Sequence, residues 1–175
     1  MPVARPAILP RAGLGAGVIG CVIGCVIACI GACSDRGADC GPREATVERV
    51  IDGDTIALTG DVKIRYLLVD APEITNGHAD CYGANAAQFN TDLVLGKTVQ
   101  LTYDEACQDR FGRTLAYVTV DGQDVNRLLI ERGYACVLYV PPDGDARAGE
   151  LEALEAAART ARRGLWAACD PIPCQ

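Results

Sequence analysis

A chain of 175 residues, 50% of them apolar, is long enough for one domain of ordinary size with a proper core and an appendage. Its formal charge of −7, from 16 basic and 23 acidic residues, excludes a global basic field of the kind that grips polyanions. Any phosphate chemistry must therefore rest on a local positive site.

The first 12 residues carry Arg5 and Arg11 and no acid, and residues 13–32 are an uncharged run of Gly, Ala, Val, Ile, Leu and Cys. That is the pattern of an export signal. Cys21, Cys25, Cys29 and Cys33 recur every four residues and would share a helix face. Ile30-Gly31-Ala32 precedes Cys33 and polarity begins at Ser34, which resembles a bacterial lipoprotein signal with acylation at Cys33. Val18-Ile19-Gly20-Cys21 and its two successors fit the same pattern. An uncleaved membrane span and plain secretion remain alternatives, because twenty apolar residues can cross a bilayer. The expected organisation is a signal, lipoprotein-type or anchor segment at 1–33, a polar tether at 34–44, a domain at 45–169 and a tail at 170–175. The domain is expected to be exported, tied to a membrane and monomeric.

With Cys33 lipidated, Cys40, Cys81, Cys107, Cys136, Cys169 and Cys174 remain, an even set that suggests up to three disulfides in an exported chain. Spacing does not choose among the pairings. A zinc site is disfavoured, since no Cys-x-x-Cys pair exists and His78 is the only histidine.

Strand-like runs follow at 46–51, 54–59, 62–70, 98–103 and 113–120, with a shorter extended piece at 135–140. Thr59-Gly60-Asp61 and Asp121-Gly122 read as turns. Helices are expected at 84–95, ended by Gly96; at 124–132, capped by Asp124 and ended by Gly133; and at 146–163, ended by Gly164. Leu165 and Trp166 fold back as a C-terminal plug. The pattern predicts a mainly β fold with α, a five-stranded OB-fold barrel with three helices.

The chemistry gathers at 49–73. The turn Asp52-Gly53-Asp54-Thr55 opens one strand, and the return strand carries Arg65 and ends on Asp70-Ala71-Pro72-Glu73. A hairpin brings those ends to one edge, so Asp54, Asp70 and Glu73 are expected to meet near Arg65. Three carboxylates need a counter-charge, which a hard divalent cation supplies. The plain alternative is a pair of acidic turns, with Arg65 a structural ion-pair partner and Arg113 a solvated turn residue.

Val-Ile-Asp-Gly-Asp-Thr at 50–55 and Arg-x-Leu-Leu-Val-Asp-x-Pro-Glu from Arg65 to Glu73 closely resemble the staphylococcal nuclease family. So do Asp109-Arg110-Phe111-Gly112-Arg113-Thr114-Leu115-Ala116-Tyr117-Val118, Val125-Asn126-Arg127-Leu128-Leu129 and Gly133-Tyr134-Ala135. The resemblance covers 45–168 in the family's order.

It implies that Asp54, Asp70 and the carbonyl of Ala71 ligate Ca²⁺, that Glu73 is the general base, and that Arg65 and Arg113 clasp the scissile phosphate. Asp52 and Thr55 would support the ligands, and Arg110, Phe111 and Tyr139 would contact substrate. The implied activity is hydrolysis of DNA and RNA leaving 3′-phosphates, and the implied position of the last helix hints at a Cys136–Cys169 pair. Ala71 stands where the family often has threonine, Phe111 and Pro141 where it often has tyrosine, and the 74–81 loop lacks lysine. A non-catalytic OB-fold binding module is the alternative, and a disulfide-stapled surface protein without nucleic-acid function is a third.

Overall fold

The computed structural model describes residues 40–174. The expected signal or anchor segment, the acylation site at Cys33 and residues 34–39 of the tether lie outside the described residues.

The barrel starts with β1 (Glu44–Val50), β2 (Thr55–Leu58) and β3 (Val62–Tyr66) and is completed by β4 (Thr98–Thr102) and β5 (Thr114–Val120). Antiparallel pairing runs in the order β3-β2-β1-β4-β5, and β3 then closes in parallel onto β5, Arg65 lying opposite Leu115. β1 serves both β2 and β4 and shifts register between Val47 and Arg49, a bulge that lets one strand bend round the barrel. A two-residue β6 (Gln123–Asp124) pairs with β5 at the rim. This is the expected OB-fold.

The burial pattern explains the strands. In β4 only Val99 and Leu101 point inward, whereas β2 is buried along its whole length. Ile56, Leu58 and Ile64 are wholly out of water and contribute roughly 1.5–3 kcal/mol each to the core. Outside the barrel lie α1 (Gly83–Val94), α2 (Val125–Glu131) and α3 (Ala148–Thr160), followed by the single turn α4 (Leu165–Ala168). Asp124 caps α2 as expected, accepting from the Arg127 amide at 2.9 Å.

Two expectations about strands need correction. The third strand stops at Tyr66 rather than at residue 70, because Leu68 takes a φ of 60° and the chain wraps round the Arg65 guanidinium. Residues 135–140 do not form a strand: Cys136 makes an isolated antiparallel bridge to Asp70.

The six cysteines form Cys40–Cys107, Cys81–Cys169 and Cys136–Cys174. The Cys136–Cys169 hint is therefore wrong. Residues 170–174 carry Cys174 back beneath Cys136 into a small apolar cluster with Leu165, while Cys169, at the end of α4, faces the loop before α1.

Candidate active site

The β2–β3 register sets Thr55 opposite Arg65, and the Tyr66 amide donates to the Asp54 carbonyl at 2.9 Å. Asp54 at the start of β2 thus lies beside the end of β3. Arg65, buried with its side chain 11% exposed, meets Asp54 Oδ1 through Nε at 3.1 Å and Asp70 Oδ1 through Nη2 at 3.2 Å. Its Nη1 donates to the carbonyls of Tyr66 and Val69. Among the described residues one Nη2 hydrogen is left over. The tight turn at 67–69 is built round this guanidinium, which explains why the strand breaks there.

Asp54 is held on every side. Thr55 Oγ1 donates to its Oδ1 at 3.0 Å and the Ala71 amide donates to its Oδ2 at 2.7 Å. Asp52 accepts from the Asp54 amide at 3.0 Å, and its own carbonyl accepts from Asn90 Nδ2. Burial, with the Asp54 charge second, pushes the Asp52 carboxyl up to about 7. Burial also raises Asp54 and Asp70, and Arg65 offsets it only in part. With Asp52 and Asp54 buried and Asp70 partly so, full ionisation of the three carboxylates against one guanidinium would leave an excess of negative charge.

That imbalance and an all-oxygen donor set fit a hard divalent cation. Among the described residues no three His, Cys, Asp or Glu side chains gather closely enough to hold a metal unaided. A cation on Asp54 and Asp70 would be completed by backbone carbonyl and water, and the Ala71 peptide is fixed beside Asp54.

Glu73 does not join Asp54 and Asp70 in one cluster. Its Oε1 accepts from the amides of Ile74 (2.9 Å) and Thr75 (2.6 Å) and from the Thr75 hydroxyl (2.6 Å). Partial burial alone would raise this carboxyl, but the Thr75 and Ile74 donors outweigh burial and hold it below the usual range. The expected convergence of three carboxylates is thus a pair on Arg65 with Glu73 alongside, turned into its own loop. Asp70 still feels the charges of both Glu73 and Arg113.

Arg113, just before β5, pairs through Nε with Asp109 Oδ2 at 2.7 Å. Asp109 Oδ1 accepts from the amides of Phe111 and Arg113, which folds 109–113 into a tight loop. The exposed Phe111 ring lies against the guanidinium groups of Arg110 (4.7 Å) and Arg113 (5.5 Å). Arg65, Arg110, Phe111 and Arg113 line one cleft of about 500 Å³, together with Leu138, Val140 and Pro141. Tyr139 lies outside that lining, with its hydroxyl donating to Asp145.

Supporting residues given no role in the sequence reading are Asp109 and Asn126, which appear there only within motifs, and Asn90 and Asp80. Asn90 is buried on the α1 face between Ala86 and Val94 and also accepts from the Tyr66 hydroxyl at 2.9 Å. Asn126 ties the Val118 amide to the Leu67 carbonyl. A polar residue at helical spacing between apolar ones was the available signal for Asn90. For Asp109 it was an Asp three residues before a turn glycine.

The sequence profile described as staphylococcal nuclease homologue matches residues 63–168. The chain is 36% identical over 129 residues to the SPbeta prophage-derived endonuclease YokF of Bacillus subtilis (strain 168), covering 70% of this chain and 44% of that protein. It is 38% identical over 138 residues to a protein of Escherichia coli named an uncharacterized endonuclease, covering 77% and 84%. It is 34% identical over 125 residues to the thermonuclease of Staphylococcus intermedius, covering 69% and 74%. The match spans less than two thirds of YokF, and only 60% of the Bacillus subtilis endonuclease YncB.

Proposed function

Because the chain belongs to the staphylococcal nuclease family, we propose that it is a nuclease that hydrolyses phosphodiester bonds of DNA, and also of RNA, with Ca²⁺ as cofactor. The observation that carries this reading is Arg65. It joins the buried Asp54 to the partly buried Asp70 and lines the same cleft as Arg113.

Asp54, Asp70 and the Ala71 carbonyl would hold the calcium, which supplies charge to polarise the phosphate and to offset the negative charge of the transition state. Arg65 and Arg113 bind the phosphate oxygens, where a planar fork suits the geometry. Glu73, kept ionised by Thr75 and Ile74, accepts the proton of the attacking water. Asp52 and Thr55 orient Asp54. Phe111 offers a stacking face beside Arg110, and the exposed Tyr139 ring is a second stacking face. We assign 3′-phosphate products by likeness to the family. The three disulfides support export, and the N-terminal run supports export with membrane attachment through a lipid on Cys33 or a retained anchor; we take the chain to act as a monomer.

The test is the purified chain with plasmid DNA, in calcium or in chelator. Degradation in calcium that stops with chelator is expected, and intact plasmid in both would overturn the reading. One observation favours the second reading, a non-catalytic OB-fold binding module: the Glu73 carboxylate is capped by its own loop. That reading predicts nucleic-acid binding in calcium with no soluble products.

A further inference from the structure

Asp70 and Glu73 sit beyond the end of β3, where ladder hydrogen bonds no longer hold the chain. Asp70 is fixed instead by Cys136, the two residues exchanging both backbone hydrogen bonds at 2.8 and 2.9 Å. Glu73 is fixed by Asp80, whose Oδ2 accepts from the Glu73 amide at 3.1 Å and whose amide donates to the Glu73 carbonyl at 2.9 Å. Each of these holding residues stands at or next to a cysteine, and both cysteines are bonded to the C-terminal segment. Cys136 pairs with Cys174, and Cys81, next to Asp80, pairs with Cys169.

The segment that receives both bonds is itself seated. The Leu165 amide donates to the Gly133 carbonyl at 2.8 Å, and Leu165 is wholly buried. Gly133 and Gly164, both at positive φ, let the two backbones cross so closely that a Cβ on either would strike the other strand of chain. Tyr82, which follows Cys81, packs with Trp166, Cys169 and Ile172 in the same small cluster as Cys136 and Cys174. Both tail cysteines lie beyond the stretch that matches the family profile, which ends at residue 168.

We propose that residues 165–174 are a covalent positioning strap for the hydrolytic carboxylates. Through Cys169 the strap holds the loop of Glu73, and through Cys174 it holds the strand end of Asp70. This rests on the reading of Asp70 and Glu73 as hydrolytic residues. The strap supplies no group to the chemistry; it acts by keeping two carboxylates in register across a site where a displacement of about 1 Å costs on the order of a hundredfold in rate.

The test compares Cys81→Ser/Cys169→Ser and Cys136→Ser/Cys174→Ser with Val99→Ala, a core truncation in β4, a strand that pairs only with β1 and β5 among the described residues. Each cysteine pair is expected to lose about tenfold or more in kcat with KM within about twofold, while Val99→Ala keeps kcat. Amide exchange is expected to rise at Asp70, Cys136 and Asp80 and to stay slow at Ile64 and Val118. Unchanged kcat in folded variants, or unchanged exchange at Asp70 and Asp80, would overturn the strap. Should the variants not fold, the unsubstituted chain is titrated with a dithiol, each disulfide taking two electrons and two protons from the dithiol to give two thiols. Residues 70–83 must then lose protection before the barrel does, and simultaneous loss overturns the proposal. Failure of the unsubstituted chain to cleave DNA would sink the nuclease reading instead, and the exchange pattern would still decide the strap.

Discussion

Arg65 and Asp54 face each other at 3.1 Å with side chains only 11% and 6% exposed. Removing one partner of such a pair leaves the other buried and uncompensated, at a cost of about 3–5 kcal/mol. Arg65→Ala is therefore expected to lower the denaturant midpoint sharply as well as to abolish hydrolysis. Arg65→Lys keeps the charge but cannot serve Asp54, Asp70 and two carbonyls together, and should fall between. An Arg65→Ala chain as stable as the parent would show that the contact is not stabilising.

The carboxylates give the metal-free protein an unusual pH dependence. Burial, with the Asp54 charge second, raises Asp52 from 3.8 to about 7, so between these values the folded chain holds a proton that the unfolded chain has released. Stability must then fall as pH rises through that window, and Asp54 and Asp70 shift in the same direction. Asp52→Asn keeps an acceptor for the Asp54 amide and is expected to flatten the slope, gaining on the order of 2 kcal/mol at neutral pH. Chemical denaturation in chelator across the window checks this; a stability that is level or rising would refute it.

Glu73 gives a kinetic prediction. Glu73→Gln is expected to lower the rate by about 10²–10⁴-fold, with the melting curve almost unmoved because the side chain is only partly buried. Thr75→Val removes the hydroxyl bonded to Glu73 and should raise the Glu73 pKa, moving the acid limb of the pH–rate profile upward. If that limb stays in place, Glu73 is not the group it reports.

Gly53 lies where the acidic turn touches α1. A Cβ there would come within 2.5 Å of the Ala71 methyl and 2.8 Å of the Ala86 methyl. Gly53→Val is expected to cost about 1–3 kcal/mol, and calorimetry should show weaker calcium binding because the Ala71 peptide must move. Unaltered calcium affinity would separate Ala71 from the cation.

Acidic charge overall predicts weak, strongly salt-sensitive affinity for DNA. Arg110→Ala should reduce the slope of log affinity against log salt by about one, measured by filter binding in calcium with Glu73→Gln to prevent turnover. Tight binding indifferent to salt would contradict a local positive site.

Much of the barrel was legible because its signals are local. Alternation in β4, the Asp124 cap, the Thr59-Gly60-Asp61 turn and the glycines after α1 and α2 each depend on a few neighbouring residues, and the structure places them close to expectation, whereas α3 ends at Thr160, four residues before Gly164. Register then set Asp54 beside Arg65, since opposed ends of a hairpin must meet.

What escaped the sequence is what depends on distant chain. Leu68 at positive φ ends β3 early, because a buried guanidinium outweighs the strand propensity of Leu67-Leu68-Val69. Nothing near Glu73 announces that Thr75 caps it, or that Asp80 and Cys81 tie its loop to the far terminus. Sequence by itself determined the barrel strands and the turns that flank Asp54 and Arg65, because hydrophobic period and turn residues act over short range. Only the tertiary structure decided how six cysteines pair and which carboxylates share the one guanidinium, because those outcomes are set by packing between segments up to 88 residues apart.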